Sequence, residues 1–217
     1  MKIAVIGATG FVGTALVNEL LDRGHSVVAI ARHPEKLGIT HAALSLKAGD
    51  VNDPAQVASL VKDADAVVSA FNAGWTNPNL YADFLSGSEA IQAGVRQSGV
   101  KRLIVIGGAG SLYVAPDVQL VDTPQFPAEY KSGATAARDY LNILKKEDQL
   151  DWTFFSPAIL MHHGTSGVRK GTYRTALENP VFDEAGNSVL SVEDLAMAIV
   201  DELESPKHIR QRFTAAY

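Results

Sequence analysis

The sequence predicts an α/β fold: a doubly wound parallel sheet with helices on both faces. Three observations predict it. Short apolar runs rich in β-branched residues alternate with amphipathic helical stretches along nearly the whole chain. The first run, Lys2 to Ile6, passes through glycines at 7, 10 and 13 into a helical pattern. The runs end in segments carrying Gly, Asp, Asn or Ser-Pro, residues that turn the chain between elements.

The elements follow in order. Lys2 to Ile6 reads as a buried strand. Val12, Leu16, Val17, Leu20 and Leu21 share one face of a helix that Gly24 ends. Ser26 to Ala31 is a second strand, and Arg32 to Leu37 a turn with a short helix. Leu44 to Ala48 is a weaker third strand. Asp53-Pro54 starts a helix, with Asp53 as N-cap and Pro54 at the first helical position. Ala64 to Phe71 is a fourth strand, followed by a loop to Asn79 and a long helix, Leu80 to Ser98, closed by Gly99. Arg102 to Ile106 is the fifth strand. Leu112 to Pro127, with three prolines, is a loop too long for a plain connector. Ala128 to Glu147 is a helix and Trp152 to Phe155 a sixth strand, stopped by Ser156-Pro157. Met161 to Gly171 is a polar loop, and Thr172 to Asn187 has short strand and turn character. Ser191 caps a helix to Glu204 with an acidic first turn, and Arg212 to Ala216 is expected as a last edge strand.

The whole chain, 1–217, is expected to be one domain, with substrate-side loops at about 112–127 and 161–190 in a small C-terminal region. Net charge is −5 and no basic block is present, so no direct nucleic-acid partner is expected. With no Cys, disulfides, thiolate metal sites and a cysteine nucleophile are excluded. No apolar run is long enough to span a bilayer, so no membrane partner is expected. The first strand begins at Lys2, so no signal peptide is expected, and a cytoplasmic location fits the missing Cys.

Ligands of such sheets bind beyond the carboxyl ends of the strands. A strand, a glycine turn and a helix make a phosphate cradle. The first glycine allows the turn, the second admits a pyrophosphate, and the third lets the helix pack closely with its N–H groups facing the anion. Gly7, Thr9, Gly10, Phe11, Val12 and Gly13 are therefore cofactor-binding candidates. About 20 residues on, an acid would bond an adenosine 2′-hydroxyl and select NAD. Arg32 stands at that point instead, and its guanidinium suits a 2′-phosphate, so NADP(H) is preferred over NAD(H). Phe71, Gly107 and Gly108 fall at further strand ends.

Certain stretches resemble a known family. They are Gly7-Ala8-Thr9-Gly10-Phe11-Val12-Gly13, Ala31 to Leu37, Gly107 to Leu112, Leu150 to Ala158 and Ser191 to Ala196. Together they resemble the atypical short-chain dehydrogenase/reductases, in the NAD(P)H-binding branch of NADH-flavin reductases and nitrogen-repressor-like proteins. The resemblance runs nearly end to end and implies a Rossmann-type fold. It also implies that Asp50-Val51 receives the adenine, although Asp50 is equally a turn residue after Gly49. It aligns Asn72-Ala73-Gly74 with the Asn-Ala-Gly element of the superfamily and brings Ser156, Pro157 and Ala158 near the nicotinamide.

Carbonyl-reducing members use Tyr-x-x-x-Lys, the tyrosine as proton donor and the lysine to lower its pKa. None of the six tyrosines here has Lys four residues later. No catalytic residue is therefore assigned. Ser111, Tyr113 and His162 are pocket candidates, His162 being equally a water-facing loop residue. Lys131 either reaches a cofactor phosphate or lies on a solvated helix face. No metal site is expected. The expected activity is an NADPH-dependent oxidoreductase that passes hydride to a small molecule, FMN, FAD or a quinone. The alternative is an NADP(H)-binding redox sensor without turnover. A nucleotide-sugar epimerase or dehydratase ranks below both. The sequence does not give the oligomeric state.

Overall fold

The computed structural model describes residues 1–217. One eight-stranded sheet runs through the chain in the order β3-β2-β1-β4-β5-β8-β10-β9. These strands are β1 (Lys2–Ile6), β2 (Ser26–Ala31), β3 (Leu44–Ala48), β4 (Ala66–Ser69), β5 (Arg102–Ile106), β8 (Asp151–Ser156), β9 (Arg174–Ala176) and β10 (Gln211–Ala216). All neighbours are parallel except β9, which runs antiparallel to β10. The helices are α1 (Phe11–Asp22), α2 (Pro54–Val61), α3 (Leu80–Ser98), α4 (Ala128–Leu144) and α5 (Val192–Glu204). This is the doubly wound Rossmann-type α/β fold that the alternation predicts.

The pleat divides the core in two. Ile3, Val5, Ala29, Val68 and Phe155 point to the face covered by α1 and α5. Ala4, Ile6, Val28, Val67 and Phe154 point to the face covered by α2, α3 and α4. Each central strand is buried on both faces, so it reads as a continuous apolar run rather than an alternating one. Edge strand β3 is mostly exposed, and this explains its weaker pattern. No helix is long and apolar enough to cross a membrane.

Chain order along the sheet reverses at β1, whose neighbours are β2 and β4. Register sets Ile6 beside both Ile30 and Ser69, which brings the carboxyl ends of the three strands level. A crevice outside those ends, at the reversal, is where ligands bind in open α/β sheets.

Side chains cap two of the α-helix starts. The Asp53 carboxylate accepts from the N–H groups of Ala55 and Gln56 at α2. Ser191 accepts from Asp194 N–H at α5. The Asp194 carboxylate then accepts from the N–H groups of Lys170 and Gly171 (2.8 and 2.9 Å) and from the Tyr217 hydroxyl. Burial works to raise its pKa, but these donors outweigh it and hold it below the ordinary Asp value. One carboxylate thereby joins the polar loop, α5 and the chain terminus.

Four expectations need correction. Arg212 to Ala216 is not an edge strand. It lies inside the sheet as β10, because β9 folds back antiparallel along it and buries it. The segment 112–127 is not a plain loop. It holds a small hairpin, β6 (Tyr113–Ala115) and β7 (Val118–Gln119), with Pro116 in its turn. The fourth strand spans Ala66–Ser69 only. Helix α4 ends at Leu144, three residues before Glu147, whose buried carboxylate accepts instead from Gln92 and the Gln149 N–H.

Candidate functional site

The turn from β1 to α1 is set by two glycines. Gly7 has φ +78°, and a Cβ there would lie 2.6 Å from the Ala70 carbonyl oxygen. Gly13 lies so close under the turn that its Cβ would stand 2.1 Å from the Gly7 oxygen. Gly10 differs. It has φ −81° and ψ 172°, and its Cβ would meet only the Gly7 oxygen at 3.3 Å. No side chain caps α1, unlike α2 and α5. The first N–H groups of α1 and its positive dipole end therefore face the crevice unsatisfied, and an anion satisfies them best.

An open cleft of about 540 Å³ starts at Thr9, Gly10 and Phe11 and runs along α1 toward α5. The polar loop forms its other wall. The ring of His163 lies 4.1 Å from that of Phe11, and Arg169 bonds Glu19 at 2.7 Å. His162, one residue earlier, is turned into its own loop, where Nδ1 accepts from Gly164 N–H at 3.0 Å. His163 is thus the histidine brought to the glycine turn.

The other candidates lie around the strand ends, outside this cleft. Arg32 follows β2, is exposed, and makes no hydrogen bond or ion pair. The acid next to it in the chain, Glu35, faces His33. Asp50 follows β3 and accepts from Asn52 N–H through one oxygen, with Val51 half-buried beside it. Phe71 follows β4 and stacks on Phe84 at 5.9 Å. Asn72 accepts from Gly74 N–H (2.7 Å), which tightens the turn around Ala73. Gly107 and Gly108 follow β5, with Gly107 pressed against the Phe154 ring. Ser156, Pro157 and Ala158 follow β8 and are buried. Lys131 is exposed on α4.

Ser111 and Tyr113 lead to a residue that strand reading misses. Ser111 is buried, and its Oγ lies 3.5 Å from Ser156 Oγ. The Arg212 guanidinium donates to Ser111 Oγ (3.0 Å) and to its carbonyl (2.6 Å) and pairs with Glu178. The same guanidinium carbon lies 5.8 Å from the centre of the Tyr113 ring, within cation–π range. Arg212 is a buried cation in a strand that also carries Gln211 and Thr214, and its charge at a buried position was its only sequence signal. Trp75 was also missed. It is an exposed indole in the 72–79 loop beside the strand ends.

An uncapped helix behind a glycine turn, at the reversal of a parallel sheet, is a dinucleotide site in outline. Residues 7–206 match the family described as NAD(P)H-binding. The chain belongs to this NAD(P)H-binding family. It is 38% identical over 216 residues to the uncharacterized protein YwnB of Bacillus subtilis, spanning 99% of this chain and 97% of that one. Among solved structures it is similar to a candidate epimerase from Bacteroides thetaiotaomicron, with TM-score 0.91 and 45% identity over 100% of this chain and 96% of the other. It is also similar to a candidate NADH-flavin reductase from Streptococcus pneumoniae, with TM-score 0.85 and 35% identity over 100% and 99% of the two chains. The family member described here thus has an oxidoreductase-like NAD(P)H-binding fold, and the two solved neighbours are described as candidates for two different activities.

The two glycines of the turn respond differently to a side chain. Gly13→Ala sets a methyl against a backbone oxygen and is expected to cost at least about 2 kcal/mol in urea unfolding. Gly10→Val, in a conformation any residue adopts, is expected to cost about 1 kcal/mol or less. The opposite order would contradict the geometry of the turn.

Proposed function

We propose that the protein is an NADPH-dependent oxidoreductase that transfers hydride to a flat conjugated acceptor, a flavin such as FMN or FAD, or a quinone. The observation that carries this reading is where the phenols are. Tyr81 donates to Asp139, Tyr140 to Gln92, Tyr173 to Asp201 and Tyr217 to Asp194. All four are raised above the ordinary tyrosine range. The main cause is the hydrogen bond to Asp139 for Tyr81 and burial for the other three. A tyrosine acid for carbonyl reduction needs the opposite shift, from a nearby lysine. A reduced carbonyl leaves an alkoxide that must be protonated as hydride arrives. A flavin or quinone spreads the charge over its rings, and solvent can protonate it afterwards. The same disposition disfavours the epimerase reading suggested by one neighbour.

On this reading residues 1–217 act as one cofactor-binding domain. The turn from Gly7 through Thr9, Gly10, Phe11 and Val12 to Gly13 holds the pyrophosphate, and Arg32 takes the 2′-phosphate. Asp50 and Val51 border the adenine. Phe71, Asn72 and Ala73 pass the middle of the cofactor. Gly107, Gly108, Ser156, Pro157 and Ala158 surround the nicotinamide, which supplies the hydride. Ser111, Tyr113 and the His162–His163 loop shape the acceptor's side. The partner is a small molecule in the cytoplasm, without nucleic acid or membrane.

Arg32 decides the cofactor preference. A charge-assisted hydrogen bond contributes about 1.5–3 kcal/mol. Arg32→Ala is therefore expected to weaken NADPH about tenfold or more in calorimetry while hardly changing NADH. Equal losses for both would remove Arg32 from the 2′-phosphate.

The absence of a tyrosine acid is tested at Tyr113 and Tyr130, the two whose hydroxyls have no partner. Tyr113→Phe and Tyr130→Phe should each keep flavin turnover within about one order of magnitude, since a general acid contributes about a hundredfold or more. A hundredfold loss of kcat in either, with NADPH binding intact, would reveal such an acid and reopen carbonyl reduction.

A further inference from the structure

The strand ends leave one large ring in the open. Trp75 lies in the loop that leaves β4, and 57% of it is exposed. Tyr130 beside it is 49% exposed, so the two rings form one apolar patch at the crevice. The indole is nevertheless held. A Cβ on Gly133 would stand 2.8 Å from its Cζ3 and 3.3 Å from its Cη2, so the indole's six-membered edge lies on the bare backbone of α4. Tyr130 meets it edge-on, with centroids 5.5 Å apart at 85°. The loop beneath is fixed by Asn77, whose side chain donates to the Ala73 carbonyl and whose N–H donates to that of Gly74. An aromatic surface ordered before its ligand arrives binds at a lower entropic cost.

Its position faces the crevice from two sides. Ala73 and Asn72, two and three residues earlier, leave the carboxyl end of the sheet beside β1. Ala134, next to Gly133, touches the segment after β5: a Cβ on Gly110 would lie 2.8 Å from the Ala134 Cβ. The indole and the segment that follows β5 therefore rest on adjacent residues, Gly133 and Ala134, of the same helix. No other tryptophan can serve. The second of the two in the chain, Trp152, is buried and donates from Nε1 to the Glu147 carbonyl.

We propose that Trp75 is the stacking platform for the acceptor, its open face taking one ring face of an isoalloxazine. This inference rests on the reductase reading and adds the residue that selects a flat, conjugated substrate. Stacking tolerates many ring systems because it reads a π-face rather than a hydrogen-bond pattern. A platform contributes to binding and placement, and the chemical step belongs to the nicotinamide.

The test uses the full chain saturated with NADP⁺ and titrated with FMN, with tryptophan emission as the readout. Because Trp152 is buried, saturable quenching is expected in the wild type and is expected to vanish in Trp75→Leu. In steady state, Trp75→Leu should raise KM for FMN about tenfold, with kcat and NADPH affinity held, and Trp75→Phe should recover most of that loss. Wild-type turnover of FMN with unchanged KM in Trp75→Leu would overturn the platform and leave the reductase reading standing. Saturable quenching without turnover would keep the platform as a ring-binding site and overturn the reductase reading. Quenching that never saturates would overturn the platform directly.

Discussion

The approach of Gly13 to the Gly7 carbonyl is the constraint on which the rest of the structure depends. It brings α1 down onto the carboxyl end of β1, and no side chain caps that helix. The helix therefore starts with unsatisfied N–H groups pointing into the crevice where the sheet reverses. Asp53 serves the first N–H groups of α2 and Ser191 those of α5; α1, α3 and α4 have no side-chain cap, and of these α1 starts behind the glycine turn. Leaving the start of α1 bare costs stability, and a bound anion returns it. Fold and cofactor site are in this sense the same feature.

The loops beside β10 are held by buried charge rather than by regular structure. Arg212 bonds Ser111 and pairs with Glu178, fastening the β6–β7 hairpin to β10. Asp194 fastens the polar loop to α5 and the terminus. A buried charge is costly unless fully partnered, so removing either partner harms more than the pair itself contributes. Such fastenings fix loops in one geometry, which an acceptor pocket requires if hydride donor and acceptor rings are to lie at reacting distance.

The central parallel strands were legible because each is buried on both faces and so carries an unbroken apolar run, while exposed β3 was read from a weaker one. The bounds of β1, β2, β3 and β5 match the runs residue for residue. Helix starts were legible at α2 and α5, which a side chain caps, and equally at α3 and α4, which none does. What was not legible depends on contacts distant in sequence. The place of β10 inside the sheet needs β9, some forty residues away, to fold back on it. The β6–β7 hairpin lies in a segment whose three prolines argue against strands. Arg212 looked like the polar end of a strand because its partners Ser111 and Glu178 are far along the chain. Trp75 looked like a loop residue because the glycine that seats it belongs to another helix. His162 and His163 are adjacent in sequence, and only the turn between them decides which one reaches Phe11.

The central claim is an NADPH-dependent reductase of flat acceptors without a tyrosine acid. It is tested most directly by steady-state NADPH oxidation with FMN, a quinone and small ketones in parallel. The account predicts turnover with FMN or the quinone and none above background with the ketones. NADPH binding without oxidation by any acceptor would contradict it and mark the protein as a redox sensor.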